Sequence, residues 1–194
     1  MVAVLSTDAI PQIRMTVDEY LEAILPEGCR YELVEGAVEM SPVPDVPHDS
    51  VVEAIHQLFV LYGQRDANAK LRVTQKSAVA LPFRGTVREP DLAVYRREAS
   101  GQKKTPRWKD MTPLLVVEVV SPGQETRDYT EKRRDYWDAG VAEYWIVDPQ
   151  ACRLTVLTRD SSDWKEQAFD SKSAYAPAQF PGLHVEGIFE DQTP

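Results

Sequence analysis

The seven residues 114–120, with the sequence LLVVEVV, constrain the fold more than any other segment of the chain. Every residue of this run except Glu118 is leucine or valine. Such a run is typical of a strand buried on both faces, because a solvent-facing side would carry polar residues at every second position. The run therefore predicts the central strand of a sheet that has helices on both sides.

Patterns on either side of this strand predict the remaining elements. A capping box that begins at Thr16 starts a first helix. Asp49 is expected to cap a second helix that ends near Gly63, and Gly140 to end a third over 125–139. Strands are predicted at 71–81, 91–95 and 143–147, with antiparallel hairpins at 30–34 with 37–40 and at 153–158 with 164–169. This order predicts an α/β fold with a mixed β-sheet flanked by helices and a terminal antiparallel hairpin.

Length and composition predict one globular domain. The chain has 194 residues, of which 43% are hydrophobic, and single domains usually contain about 100–200 residues. We expect a flexible lead-in at 1–14 and one domain over 15–190. No apolar run reaches the roughly 20 residues that span a bilayer, and the first ten residues lack the basic start of a secretory signal. A cytoplasmic location without membrane attachment is therefore expected.

The charge of the chain argues against a protein that coats nucleic acid. The net charge is -9, whereas nonspecific phosphate binding depends on clustered lysine and arginine. The segment 96–109 is a local exception, since it carries six basic residues against one acid. It is either a solvated loop or a loop that contacts phosphates, and Lys103, Lys104 and Arg107 are its predicted nucleic-acid contacts.

Glu118 interrupts the central strand with a charge. Period-2 alternation puts it on the face shared by Val116 and Val120. A buried carboxylate without a partner is costly or becomes protonated. Glu118 is therefore either paired with a lysine or arginine at the end of the sheet or part of a functional site.

Asp91 follows Pro90 at the start of a predicted strand, where an adjacent strand can bring it beside Glu118. Two acids at such a place repel unless a cation lies between them, and hard oxygen ligands favour Mg²⁺ or Mn²⁺. The alternative is an ordinary strand-start residue, because proline and aspartate are common in turns.

The third predicted helix offers a cation for the same site. By three- and four-residue spacing, one face carries Tyr129, Lys132, Arg133 and Tyr136. Asp128 precedes Lys132 by one turn. Lys132 either supplies positive charge to the site, held by Asp128, or extends past the tyrosines to solvent.

Two further residues have weaker patterns. In RYELVEG, Glu32 alternates with Tyr31 and Leu33, so it is expected on the outer face if those two face the core. His48 lies between a proline-rich segment and a predicted helix, where it either contacts an anion or merely begins the helix. The sequence has no glycine-rich phosphate loop, no G-x-S-x-G motif and no paired-histidine zinc motif.

Several segments together resemble the Uma-two family of restriction endonucleases, which is part of the PD-(D/E)XK nuclease superfamily. These are RYELVEG at 30–36, Pro47-His48, EPDLAV at 89–94, LLVVEVVSP at 114–122, the Asp128–Lys132–Tyr136 spacing and GVAEYWIVDP at 140–149. Each is weak alone, but EVVSP with a downstream GVAEYWIVDP is specific. The resemblance implies a restriction-endonuclease-like core and a divalent-metal nuclease site.

By position, the resemblance makes Asp91 and Glu118 the metal-binding acids of that site, with Mg²⁺ or Mn²⁺ as the ion. The superfamily's lysine normally stands two residues after the second acid, where this chain has Val120. Lys132 matches the family's own lysine position, and Glu32 resembles its upstream acid, which completes the metal shell.

Two functions are compatible with these residues. The first is a metal-dependent endonuclease that hydrolyses DNA, in which Lys132 supplies charge or takes a proton from water and the main chain of Val119 is a further metal ligand. The second is an inactive nuclease-fold protein that binds nucleic acid or a protein partner, which the acidic charge and the displaced lysine favour. DNA is the expected partner, and a homodimer is expected because cyclic dimers are the commonest assembly.

Overall fold

The computed structural model describes residues 13–66, 69–97 and 107–189. These residues form two β-sheets with helices packed against them. The strands are β1 (Cys29–Val34), β2 (Ala37–Pro42), β3 (Leu71–Thr74), β4 (Val79–Leu81), β5 (Thr86–Arg88), β6 (Leu92–Arg96), β7 (Leu115–Val119), β8 (Glu143–Asp148), β9 (Arg153–Arg159) and β10 (Trp164–Asp170). The α-helices are α1 (Val17–Glu22), α2 (Val46–Arg65) and α3 (Lys132–Asp138).

The larger sheet has its strands in the order β10-β9-β8-β7-β6-β3. The predicted central strand is β7, which runs antiparallel to β6 and parallel to β8, so the sheet is mixed as predicted. Val117 and Val119 face a core that contains residues of α2, while Val116 and Val120 face a second core with Tyr136 of α3. Both faces of β7 are buried, which confirms the prediction from its sequence.

The smaller sheet has the order β2-β1-β5-β4. Its β1–β2 hairpin is the predicted one, with Glu35 and Gly36 at the turn. The single strand predicted at 71–81 is wrong, because β3 lies in the larger sheet and β4 in the smaller one. The chain turns between them at Lys76, whose φ is 52° and whose amide donates to the carbonyl of Pro90.

Helix α2 begins earlier than the sequence predicts. Its N-cap is Asp45, whose side chain accepts a hydrogen bond from the amide of His48 at 3.2 Å, so the predicted cap, Asp49, lies in the first turn. Pro47 is tolerated there because first-turn amides have no partner inside the helix. Within the described residues, no helix is long and apolar enough to cross a lipid bilayer.

The other two helices begin and end close to the predicted positions. The capping box of Thr16 with Glu19 starts α1. The third helical segment consists of a π-helical turn, Arg127–Glu131, which runs directly into α3. The chain leaves this segment at Gly140, whose φ of 83° is the left-handed conformation that glycine adopts without strain.

Candidate active site

The two sheet residues singled out by the sequence lie at one cavity. Leu92 pairs with Val117 between β6 and β7, so Asp91, one residue earlier, comes level with Glu118. Both side chains are buried and line a cavity of about 270 Å³. The structure therefore brings together the two acids that the sequence could only place on neighbouring strands.

Asp91 is held by three donors. The Nη1 atom of Arg30 donates to Oδ1 at 2.6 Å, and the amide of Val119 donates to Oδ2 at 2.8 Å. The Nε2 atom of His48 lies 3.1 Å from the same Oδ2. Burial alone would raise the pKa of Asp91, but the hydrogen bond to His48 and the charge of Arg30 hold that pKa well below its usual range. Asp91 is therefore a fixed, ionised carboxylate.

Glu118 has a different environment. The Nζ atom of Lys132 lies 2.9 Å from Oε2, and the hydroxyl of Tyr136 donates to Oε1. Burial raises the pKa of Glu118, the nearby Asp91 raises it further, and the charge of Lys132 opposes them. Its ionised form is consequently dependent on a cation close to it.

Lys132 lies between Glu118 and Asp128. Its Nζ atom is 3.0 Å from Oδ1 of Asp128, as the four-residue spacing suggests. Burial favours the neutral amine, but the surrounding acids raise the pKa of Lys132 above its ordinary value, so the side chain is an ammonium. The prediction that Arg133 shares a helix face with Lys132 is wrong, because the Arg133 side chain lies on the outer side of the helix and pairs with Glu166 at 2.6 Å. Lys132 thus faces the cavity and not solvent.

Glu32 lines the same cavity, and the expectation of an outward-facing side chain is wrong. Other parts of the chain cover the outer face of β1, so the side chain of Glu32 is buried at the cavity. Its Oε1 atom accepts from the amide of Glu89 at 3.0 Å. Its Oε2 atom accepts from Arg88 at 2.9 Å and from Arg127 at 2.5 Å.

The remaining predicted site residues are distributed differently. His48 is buried against Asp91. Arg107 is exposed and pairs with Asp110 at 3.1 Å, outside the cavity. Lys103 and Lys104 lie outside the described residues. The hypothesis that this basic segment contacts phosphates therefore stays a prediction.

The donor set at the cavity fits a magnesium-type ion. Among the described residues, no group of three or more histidine, cysteine or acidic side chains is arranged to hold a metal. Mg²⁺ does not require such a group, because it is commonly held by one or two carboxylates together with waters and substrate phosphates. Asp91 and Glu118 supply two carboxylates, and each carboxylate has about four acceptor positions.

A family comparison decides what kind of protein carries this cavity. The model of the family described as "Uma2: Putative restriction endonuclease" matches residues 17–186. The chain belongs to the Uma2 family. The family resemblance inferred from the sequence motifs is thereby confirmed.

The solved structures give a fold relative of this Uma2 protein. It is similar to the crystal structure, at 1.96 Å resolution, of "a putative nuclease belonging to DUF820" from Anabaena variabilis ATCC 29413. The TM-score is 0.73 at 18% sequence identity, over 92% of this chain and 99% of that chain. The similarity shows that the two chains share a fold. No match was found among curated proteins.

Two arginines at the cavity, Arg30 and Arg127, could not be identified from the predictions made on the sequence. Arg30 stands two residues before Glu32 on β1, so strand alternation could have placed both on the cavity side. Arg127 had no such pattern, because ordinary helical spacing turns it away from Lys132. Only the π-helical turn brings it to the cavity.

Proposed function

We propose that this Uma2 protein is a divalent-metal-dependent endonuclease that hydrolyses phosphodiester bonds of DNA. The observation that carries the proposal is the meeting of two buried carboxylates, Asp91 and Glu118, with a buried ammonium, Lys132, at one cavity. Family membership supports a nuclease, and the cavity chemistry supports hydrolysis assisted by a metal.

Each group at the cavity has a distinct role in this proposal. Asp91 and Glu118 would hold Mg²⁺ or Mn²⁺, with the main chain of Val119 as a further ligand. The ion would supply activation of water and stabilisation of the charge that develops on the phosphate. His48 and Arg30 fix the orientation of Asp91 and keep it ionised.

In the superfamily, a lysine two residues after the second acid usually supplies a positive charge from the strand. In this protein, Lys132 supplies that charge from the helix. Its ammonium is held in place by Asp128 and Glu118, and Tyr136 orients the other oxygen of Glu118. As a fixed cation, Lys132 stabilises the charge of the phosphate in the transition state. A proton from the attacking water could be accepted only by its neutral amine, after the ammonium has lost a proton.

The test is a cleavage assay with the purified protein. Supercoiled plasmid, linear duplex DNA and single-stranded RNA are incubated with Mg²⁺, with Mn²⁺ or with EDTA, beside the variant Asp91→Asn. We expect cleavage of DNA that requires a divalent ion and is lost in the variant. Cleavage that is equal in EDTA, or equal in the variant, would contradict the proposal.

The second candidate function is nucleic-acid binding without cleavage. It is favoured by Val120 at the usual lysine position and by the protein donors that already contact Asp91 and Glu118. The same assay separates the two functions. A protein that binds duplex DNA in a gel-shift experiment but leaves it intact in every divalent ion is a binding module.

A homodimer is part of the proposal. One cavity per chain cuts one strand at a time, so cleavage of both strands at one place favours two chains related by a two-fold axis. Sedimentation of the protein with and without a duplex measures the assembly. A monomer in both conditions that still makes double-strand breaks would remove this part of the proposal.

A further inference from the structure

The π-helical turn brings Arg127 and Lys132 to the same side of their helical segment. The amide of Lys132 donates to the carbonyl of Arg127, five residues earlier. In an α-helix two such residues lie about 140° apart around the axis. The five-residue step of a π-helix instead places the second residue almost above the first. Both side chains accordingly line the cavity.

The contacts of Arg127 leave part of its guanidinium available. Its Nη2 atom lies 2.5 Å from Oε2 of Glu32 and 3.2 Å from Oε2 of Glu39. Its Nε atom is buried and has no hydrogen-bond partner within the described residues. A buried donor without a partner is costly. The Nε–H group of Arg127 would therefore be stabilised by a ligand that brings an acceptor, such as a phosphate oxygen. Glu39 is a partly exposed side chain that a phosphate can replace.

Glu32 is the anchor that holds this arginine. Its other arginine partner, Arg88, is almost completely buried and is held by Asp135 at 2.7 Å. Arg88 is therefore held between Asp135 and Glu32, and it fixes the position of the Glu32 carboxylate. Arg127 donates to the same Oε2 atom as Arg88, and of the two arginines it is Arg127 that lines the cavity.

We propose that Arg127 binds a DNA phosphate beside the one that is cleaved, and that Glu32 is the positioning residue that holds Arg127 there. The proposal rests on the proposed nuclease function and adds a binding residue to it. Guanidinium groups suit phosphate because their planar donors match two phosphate oxygens at once. Arg30, by contrast, is committed to Asp91 and to the carbonyl of Glu89.

The test compares Arg127→Ala and Arg127→Lys with Arg134→Ala, an exposed arginine of the same helix. Three quantities are measured: the Kd for a short DNA duplex in buffer with EDTA, and the KM and kcat of cleavage with Mg²⁺. We expect Arg127→Ala to raise Kd and KM about tenfold or more, as for a lost hydrogen bond to a charged group, with a much smaller change in kcat. Arg127→Lys should restore part of the binding, and Arg134→Ala should leave all three values unchanged.

Glu32→Gln separates a positioning role from a metal-ligand role. A positioning residue predicts a higher KM with Mn²⁺ affinity unchanged, as measured by titration of the ion. A metal ligand predicts weaker Mn²⁺ binding, and that result would overturn the role assigned to Glu32. If Glu32→Gln does not fold, the Arg127 variants still decide the phosphate contact, because Arg127 lies at the cavity edge.

The outcomes distinguish this inference from the nuclease function. If the parental protein cleaves DNA and Arg127→Ala has the same Kd and KM, the inference fails and the nuclease function stands. If the protein binds duplex DNA through Arg127 but never cleaves it, the contact between Arg127 and a DNA phosphate stands and the nuclease function fails. A parental protein that neither binds nor cleaves DNA overturns both.

Discussion

Glu118 and Glu143 are buried glutamates on the neighbouring parallel strands β7 and β8, and their surroundings differ. Glu118 lies near the end of β7, at a cavity, with Lys132 and a second carboxylate beside it. Glu143 begins β8 and accepts from the indole nitrogen of Trp145 at 2.5 Å and the hydroxyl of Tyr175 at 2.9 Å. Its Oε2 atom has no hydrogen-bond partner within the described residues.

The difference shows that burial of a carboxylate does not identify a functional site. Burial raises the pKa of both glutamates. At Glu118, Lys132 lies close enough to stabilise the ionised form. Glu143 has two neutral aromatic donors, whose hydrogen bonds lower its pKa but do not cancel the effect of burial, which raises it. A buried acid becomes a candidate catalytic group when a second acid, a cation and access for substrate come with it.

The largest expected difference between the two glutamates is in divalent-ion binding and DNA cleavage. Glu118→Gln should remove divalent-ion binding and reduce DNA cleavage below detection, because the amide has lost the charge that holds the ion. Glu143→Gln should cleave like the parental protein. The measurements are Mn²⁺ titration and plasmid cleavage of both variants.

Stability gives the same substitution a second readout. In metal-free buffer, Glu118→Gln should melt at the same temperature as the parental protein or slightly higher, because volume is conserved, the cost of burying the Glu118 charge is removed, and Lys132 keeps Asp128 as an ionic partner. Melting several degrees lower would mean that Glu118 is chiefly a structural partner of Lys132. If Glu143→Gln lost as much cleavage as Glu118→Gln, the distinction drawn between the two buried glutamates would be wrong.

Lys132→Ala should have the next largest effect. We expect turnover to fall roughly 10²-fold or more, the scale of one electrostatic or acid–base group, while Mg²⁺ affinity stays equal or rises, because a neighbouring cation repels the ion. Lys132→Arg should restore part of the rate if charge alone matters and little if the lysine accepts a proton. Single-turnover cleavage and Mg²⁺ titration measure both quantities.

Arg133→Ala is the matched control for Lys132. Arg133 is the next residue along the helix, but it faces Glu166 on the surface. The Arg133→Ala variant should therefore cleave DNA at the parental rate. If Arg133→Ala were inactive and Lys132→Ala fully active, the assignment of the cation would be wrong.

A smaller effect is expected from pH, and it concerns Glu143. Burial raises its folded-state pKa above the ordinary value of 4.5. The neutral carboxyl therefore stabilises the fold fully below that ordinary value, and this contribution is lost as pH rises through the raised pKa. Relative to the parental protein, Glu143→Gln should gain on the order of 1 kcal/mol in unfolding free energy between pH 5 and pH 8.

Thermal unfolding of both proteins across this pH range measures the gain, which corresponds to a few degrees in Tm. A difference that stays constant with pH would show that Glu143 keeps the same protonation state in the folded and unfolded chains. A difference of opposite sign would mean that its ionised form is stabilised by the fold.

The smallest effect should come from the basic segment 96–109. Neutralising Lys103, Lys104 and Arg107 together should weaken DNA binding for all sequences without changing single-turnover cleavage. Each lost phosphate contact lowers the logarithmic salt slope by about 0.9. An unchanged slope would identify the segment as a solvated loop. The exposure of Arg107 is compatible with either result.

Elements with a long, regular pattern could be predicted from the sequence. The run 114–120 identified β7 and its two buried faces, and the period of its side chains put Glu118 with Val116 and Val120. The Asp128–Lys132 contact follows from four-residue spacing. These features depend on local geometry, which the sequence encodes directly.

Features that depend on tertiary contacts could not be predicted. Glu32 was expected outside because alternation cannot show that Arg88 covers the outer face of its strand. The division of 71–81 depends on the backbone turn at Lys76, and nothing in its residue type requires a positive φ. The π-helical turn changes the position of Arg127 around the helix axis relative to Lys132, and no residue pattern in the sequence indicates it.

Strands β7 and β8 pair in parallel, and α3 connects them along the chain. This connection has a consequence for the order in which the cavity forms during folding. Tyr136 reaches Glu118 over a separation of 18 residues, whereas Asp91 meets His48 over 43 and Arg30 over 61. Contacts that close short loops lose less chain entropy and form sooner than those between distant segments. During folding, the half of the cavity with Glu118 and Lys132 should therefore form first, and the half that fixes Asp91 should join when the β1–β2 hairpin and α2 dock.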